Sequence, residues 1–175
     1  MSKIYFISDM HFFHKNIIEF CERPFKDVDE MNEFIIKKWN ETIKKHDKVF
    51  VLGDLGFGSK EVIEKVIKRL KGIKVLVRGN HDHYNDEYYR SIGFKEVINY
   101  PIIYKKFFII SHEPVNFIVG TPFLNIHGHI HNNKYGLDER DKIDNSKNNY
   151  LNVSVEALNY IPITFEEIKE LRGFD

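Results

Sequence analysis

A single pattern restricts this chain more than any other: a short apolar, β-branched run that stops abruptly and hands over to polar side chains. The clearest instance is Ile73-Lys74-Val75-Leu76-Val77, which reads as a buried strand and breaks at Gly79 into Asn80, His81 and Asp82. Taken alone, those three residues also suit a plain turn. The arrangement recurs at four further strand ends, however. Residues 3–7 lead into Asp9 and His11, 48–52 into Asp54, 107–110 into His112, and 123–126 into His129 and His131. Strand ends of this kind are where α/β proteins place their chemistry. One aspartate or histidine there means little; five ends offering carboxylate, amide and imidazole within 175 residues define a candidate site. Asp9 and His11, two apart, share one side if the segment is extended.

The intervals between strands are helical in the first half. Asp27 is placed as an N-cap with Glu30 at capping-box spacing, and Val28, Met31, Ile35, Trp39 and Ile43 follow on one face, predicting a helix over 28–45. Ser59 opens a second helix with Val62, Ile63, Val66, Ile67 and Leu70 aligned, stopped by Gly72. Its other face carries Lys60, Lys65, Lys68, Arg69 and Lys71 with Glu61 and Glu64 interspersed, a solvated face with a nucleic-acid patch as the alternative. Strand–helix alternation of this kind implies right-handed crossovers and parallel pairing. The second half differs: short β-like pieces over 94–104, strands at 107–110, 123–126 and 150–155, and an edge strand at 161–163. Thr164 and Glu167 cap a last helix, and the polar stretch 132–149 reads as a surface excursion. Strands with so few helices between them predict a second sheet facing the first. With no repeat, low-complexity tract or linker, residues 1–175 are expected to form one domain.

Composition narrows the setting. A formal net charge of zero gives no global field toward nucleic acid or anionic membrane, and no apolar run approaches a membrane span. No secretory leader is visible, and the lone Cys21, expected as a small buried hydrophobe, forms no internal disulfide. The expectation is a soluble, cytoplasmic protein.

Mixed oxygen and nitrogen donors without thiolate suit a borderline divalent ion such as Mn, Fe, Zn, Ni or Co. Asp9, His11, Asp54, Asn80, His112, His129 and His131 exceed the needs of one ion, whereas two ions sharing a carboxylate would use them fully. At this point the chain resembles the calcineurin-like metallophosphoesterases, whose elements appear in order as Asp9-Met10-His11, Gly53-Asp54-Leu55-Gly56, Gly79-Asn80-His81-Asp82, His112 and Gly128-His129-Ile130-His131. The resemblance implies a four-layer α/β/β/α fold, a two-sheet β-sandwich flanked by helices. It implies one metal at Asp9, His11, Asp54 and His131 and another at Asp54, Asn80, His112 and His129, Asp54 bridging, with manganese foremost. His81 would then reach the phosphate as the catalytic side chain, steadying charge or protonating the leaving oxygen, for which imidazole is chemically suited. The implied reaction is hydrolysis of a phosphodiester or phosphomonoester, a nucleotide being one candidate substrate, through a metal-bridging hydroxide. The alternatives are a catalytically silent protein-binding scaffold and a nuclease using the same metal chemistry, and the chain is expected as a monomer or homodimer.

Around that centre, Asp82 is read either as an acceptor orienting a histidine or as a turn residue. His14 either touches substrate or lies at the surface. His127 is read as packed, Arg78 as ion-paired, Asn152 as support for a ligand loop, and His46 and His83 as solvent-exposed. Phe12, Phe13, His14, the 56–59 turn and the 132–149 excursion are expected to wall the pocket, and Glu113-Pro114 departs from the glycine common after His112 in relatives.

Overall fold

The computed structural model describes residues 2–116, 118, 120–132 and 149–174. The polar excursion expected over 132–149 therefore lies, apart from its two end residues, outside the described residues. The parallel βα repeat of the first half forms as the alternation predicts. Strands β1 (Ile4–Ile7), β2 (Lys48–Val51), β3 (Ile73–Val77) and β4 (Phe94–Ile98) pair in parallel, in the spatial order β4-β3-β2-β1. Helix α1 (Ile17–Phe20) and helix α2 (Val28–Thr42) connect β1 to β2, α3 (Lys60–Arg69) connects β2 to β3, and α4 (Asp86–Ser91) connects β3 to β4. The second sheet runs β5 (Ile102–Tyr104), β6 (Phe108–Ile110), β7 (Leu124–His127) and β8 (Tyr150–Asn152), antiparallel at β5–β6 and parallel beyond. The chain then returns to the first sheet, where β9 (Ile163–Thr164) lies antiparallel on β1 at its edge, and ends in α5 (Phe165–Arg172). The expected two-sheet sandwich with flanking helices is the fold that forms.

The unbroken apolar strands make sense because both their faces are covered. Tyr5 and Ile7, Val49 and Val51, and Leu76 face the helices, packing with Met31, Ile35, Trp39, Ile63, Val66 and Ile67. Phe6, Phe50, Leu52, Val75 and Val77 face the other way, into a second core with Phe108, Ile110, Leu124 and Ile126, closed by Phe165 and Ile168 of α5. Phe6 and Phe50, in register on neighbouring strands, stack at 5.2 Å between ring centroids.

Several boundaries move for local reasons. Helix α2 stops at Thr42 instead of 45 because the Asp47 carboxylate takes the N–H groups of Lys44 and Lys3, both at 2.8 Å, and folds the segment into a turn. Asp27 caps α2 as expected, accepting from Glu30 N at 2.8 Å, but the Glu30 carboxylate takes Lys26 N in place of the cap's own N–H. The capping box at Thr164 and Glu167 forms in full. Strand β8 ends at Asn152 because the chain there leaves its sheet: Ser154 bridges to Ser8, with Ser8 N donating to Val153 O at 2.9 Å and Val155 N to Ser8 O at 3.1 Å. The two sheets converge at that bridge, beside Asp9.

Candidate metal centre

Three of the five strand ends deliver their polar residues through a strained loop. The expectation that Asp9 and His11 share a side because the segment is extended is corrected by the backbone. Asp9, His11 and Phe13 alternate into the left-handed region at φ 57°, 49° and 63°, as do His129 and His131 at 69° and 50°, and Asp54 sits there at 54°. Such conformations cost non-glycine residues on the order of 1–3 kcal/mol each and persist only where the surroundings hold them. Here the 9–12 loop is tied along the 53–56 loop: Asp9 N donates to Gly53 O, His11 N to Asp54 O and Phe12 N to Leu55 O, at 2.9–3.1 Å. The glycines of these motifs answer to close approach. A Cβ on Gly53 would lie 2.5 Å from Gly79 N and 2.6 Å from His112 Nδ1, and one on Gly128 would overlap the side chains of Ser8 and Asp9.

The loops bring all seven expected ligand residues together as two donor sets. Asp9, His11 and His131 form one close group, and Asp54, His112 and His129 the other. Asn80 completes the second, its Oδ1 lying 2.9 Å from His112 Nε2 and 3.0 Å from His129 Nδ1. Asp54 Oδ2 joins the two, 3.5 Å from His11 Nε2 and 3.6 Å from His112 Nε2.

Hydrogen bonding leaves one face of Asp9, Asp54 and His112 turned to the site. Asp9 Oδ2 accepts from Ser8 Oγ, Ser154 Oγ and His129 N, while its Oδ1 is buried without a partner, 3.8 Å from His131 Nε2. Asp54 Oδ1 accepts from His81 N at 3.0 Å, leaving Oδ2 turned to the histidines. His112 Nδ1 bonds Leu52 O at 2.7 Å, which makes Nδ1 the protonated nitrogen and Nε2 the lone pair facing the site. His11 Nε2 is likewise buried and unpartnered, and burial together with the nearby His131 and Arg23 charges pushes its pKa down, so it presents a neutral imidazole. Burial raises the Asp54 carboxyl above the usual range against the pull of His112, with Asp9 adding to the rise. Two crowded carboxylates and orphaned lone pairs in a buried pocket are a poor arrangement for an empty core and a good one for divalent cations. The residues therefore fit a pair of metal ions.

The supporting residues correct and extend the expectations. Asp82 orients no histidine, nor is it a mere turn residue. Buried at 3% exposure, it accepts from Gly79 N at 2.8 Å, Asp54 N at 2.9 Å and Leu55 N at 3.1 Å, joining two of the ligand loops. Asn152 does support a ligand loop, donating to His131 O at 2.7 Å. Arg78 pairs with Asp86 and Asn99, and His127 is fully buried with Nδ1 at 2.9 Å from Gly128 O. His46 and His83 are exposed. Ser111 Oγ donates to Glu113 O at 2.6 Å, shaping the rim after His112. Phe12 is no wall residue; it is 1% exposed and belongs to the helix-side core. Phe57, from the 56–59 turn, does line the site, its ring 5.7 Å from His11, 5.1 Å from His81 and 4.1 Å from His14. His81 itself belongs to neither donor set and stands half-buried at the edge of a cavity of about 160 Å³ shared with Phe57, His83 and Tyr84. Sequence reasoning passed over Ser8, Ser154, Arg23 and Glu156. Serines beside an apolar strand carry no distinguishing signal, and the two charged residues are isolated in sequence.

Known proteins share the sequence pattern and the fold of this chain. The model of the calcineurin-like phosphoesterase family matches residues 2–167. An uncharacterized protein of Methanocaldococcus jannaschii is 39% identical over 173 residues, spanning 98% of this chain and 92% of that protein. The gene 66 protein of Mycobacterium phage L5 is 38% identical over 85 residues, 47% of this chain and 41% of its own length. Among solved structures, that of a protein of unknown function from Aquifex aeolicus shares the fold with a TM-score of 0.71 at 28% identity, covering 98% of this chain and all of that one.

Proposed function

The chain belongs to the calcineurin-like phosphoesterase family, and on that premise we propose that residues 1–175 act as one domain that hydrolyses a small phosphorylated substrate, a phosphomonoester or phosphodiester, at a centre of two divalent ions, manganese foremost. The observation that carries this reading is the placement of Asp54 Oδ2, within 3.6 Å of a histidine nitrogen from each donor set. Asp9, His11, Asp54 and His131 would hold one ion, and Asp54, Asn80, His112 and His129 the other. Bound as a pair, such ions lower the pKa of a water toward neutrality and neutralise charge on the phosphate oxygens. His81 takes the part of proton donor to the leaving oxygen: its backbone N–H is pinned on Asp54 Oδ1, while its ring faces the open cavity. Phe57 packs over His11 and keeps bulk water from that side.

The family supports a hydrolase over a silent scaffold, since every donor of both sets is in place. A nuclease is less well supported. On α3, Arg69 forms a two-pronged pair with Glu33, Lys68 contacts Glu64, and Lys60 lies over the rings of Tyr84 and Tyr88, so these cations have local partners. Among the described residues no helix is long and apolar enough to cross a membrane. With a free, buried Cys21 as well, the reading is of a cytoplasmic enzyme, monomer or homodimer. The test is hydrolysis of p-nitrophenyl phosphate beside bis-p-nitrophenyl phosphate with added manganese and with chelator. Activity with manganese that chelator abolishes is expected, and the ratio of the two rates separates monoesterase from diesterase. Equal turnover in chelator would refute the metal mechanism.

A further inference from the structure

His131 faces two ways. Its Nε2 lies 3.8 Å from Asp9 Oδ1 and its Nδ1 lies 3.1 Å from Glu156 Oε1. That same Glu156 oxygen accepts from Arg23, with Nε at 2.8 Å and Nη2 at 2.7 Å. The Arg23 side chain is fully buried, and it also donates from Nη1 to Met10 O at 2.9 Å and from Nη2 to Asp9 O at 2.8 Å. One guanidinium thus grips both the backbone of the loop bearing Asp9 and His11 and the carboxylate behind His131. The segment after the 21–22 turn and the segment after β8 are brought together at this point, although neither carries a proposed ligand.

Cys21, His131 and Glu156 also lie close enough to form a cation site of their own, with donor atoms within 4.8 Å of one another. The Arg23 guanidinium argues against that use: it already supplies the positive charge beside Glu156, and a second cation there would meet it at short range.

Resting on the reading of a two-metal centre, we propose that Glu156 is a positioning residue for His131. Its carboxylate accepts the Nδ1–H and so fixes the tautomer and ring orientation that turn Nε2 toward Asp9, while Arg23 locks carboxylate and loop into one unit. The support is one-sided. His112, in the other donor set, is oriented by the Leu52 carbonyl and makes no use of Glu156. Loss of Glu156 therefore weakens one metal position and spares its neighbour.

Truncation to alanine strands a buried guanidinium and endangers folding, so the diagnostic variant is Glu156→Gln, which keeps the shape and an acceptor oxygen but removes the negative charge that Arg23 and His131 share at Oε1. Metal-stripped full-length protein is titrated with manganese alone, free ion being read by electron paramagnetic resonance and folding by circular dichroism. Wild type should take up two ions; Glu156→Gln should bind one of them roughly ten- to hundred-fold more weakly and hold the other within about twofold. Cys21→Ser should bind both as wild type does. Unchanged affinities in Glu156→Gln would overturn the proposal, as would equal weakening of both ions or a Cys21→Ser variant with the same selective loss. A wild type that takes up no manganese removes the premise and the proposal together. A wild type that binds two ions yet hydrolyses neither nitrophenyl ester defeats the enzyme reading alone, since selective loss in Glu156→Gln would still stand.

Discussion

At the scale of single residues, Asp9, Asp54 and His112 each do two jobs, one oxygen or nitrogen anchored and the other turned to the site. Asp54 shows it most plainly, with Oδ1 on His81 N and Oδ2 between the donor sets. This division was not legible in the sequence. Residue types and order named the candidate donors, whereas which atom of each is anchored depends on partners such as Leu52 O and Ser154 Oγ that lack any motif. Asp82 is the instructive case, since a carboxylate beside His81 invites a role on that ring and in fact collects three backbone N–H groups. Asp82→Asn replaces one acceptor oxygen by an amide donor facing an N–H, and we expect a loss of about 1–3 kcal/mol, read as a lower midpoint in urea, with reduced turnover because the Asp54 loop shifts. A midpoint and rate like wild type would return Asp82 to an ordinary turn residue. His81→Ala tests a different function. If the ring protonates the leaving oxygen, an alkyl phosphate should lose far more rate than p-nitrophenyl phosphate, whose leaving group departs without a proton. Equal losses on both substrates would instead assign His81 to phosphate charge.

At the scale of elements, periodicity located β1 to β3, α2 and α3 because each buries a continuous stripe or face, and burial is what apolar spacing encodes. Two things escaped it. Helix α4 is only six residues long and is set by its cap, Asn85 Oδ1 on Tyr88 N at 3.0 Å, more than by a stripe. The left-handed loops escaped because no glycine marks Asp9, His11, His129 or His131; tertiary hydrogen bonds impose their φ values. The early end of α2 has the same kind of cause, and it carries a pH signature. Burial alone would raise the Asp47 carboxyl, but the N–H groups of Lys3 and Lys44, helped by the nearby Lys44 and Lys3 charges, hold it below the usual carboxylate range. A carboxyl depressed in the folded state stabilises above its unfolded pKa, and that contribution disappears as pH falls through the folded value. Wild type should therefore be more stable than Asp47→Asn at neutral pH, and the gap should close in strongly acidic solution. Urea midpoints measured across that range decide it; a gap independent of pH would mean the carboxylate charge is not what holds the turn.

At the scale of the whole molecule, the donors come from both sheets: Asp9, His11, Asp54 and Asn80 follow β1, β2 and β3, while His112, His129 and His131 follow β6 and β7. The sheets already meet through the inter-sheet core and the Ser8–Ser154 bridge, and at their mouths carboxylates and imidazoles are crowded together, with Asp9 Oδ1 and His11 Nε2 lacking hydrogen-bond partners. Cations binding there would act on the native state alone, because the unfolded chain does not assemble the two sets. At a hundredfold excess over the dissociation constant, such linkage contributes about 2.7 kcal/mol, and for a chain of this size each kcal/mol moves the thermal midpoint by roughly 2–4 °C. Manganese should therefore raise the midpoint of metal-stripped protein by roughly 5–11 °C for each ion bound at that excess, with a dependence on metal concentration that saturates and that chelator reverses. Asp54→Asn is the control that gives the measurement its meaning: by weakening the one oxygen shared between the donor sets, it should remove most of the shift together with nearly all turnover. A shift of equal size in that variant would place the stabilising cations elsewhere on the surface and separate the stability of the sandwich from its candidate active site.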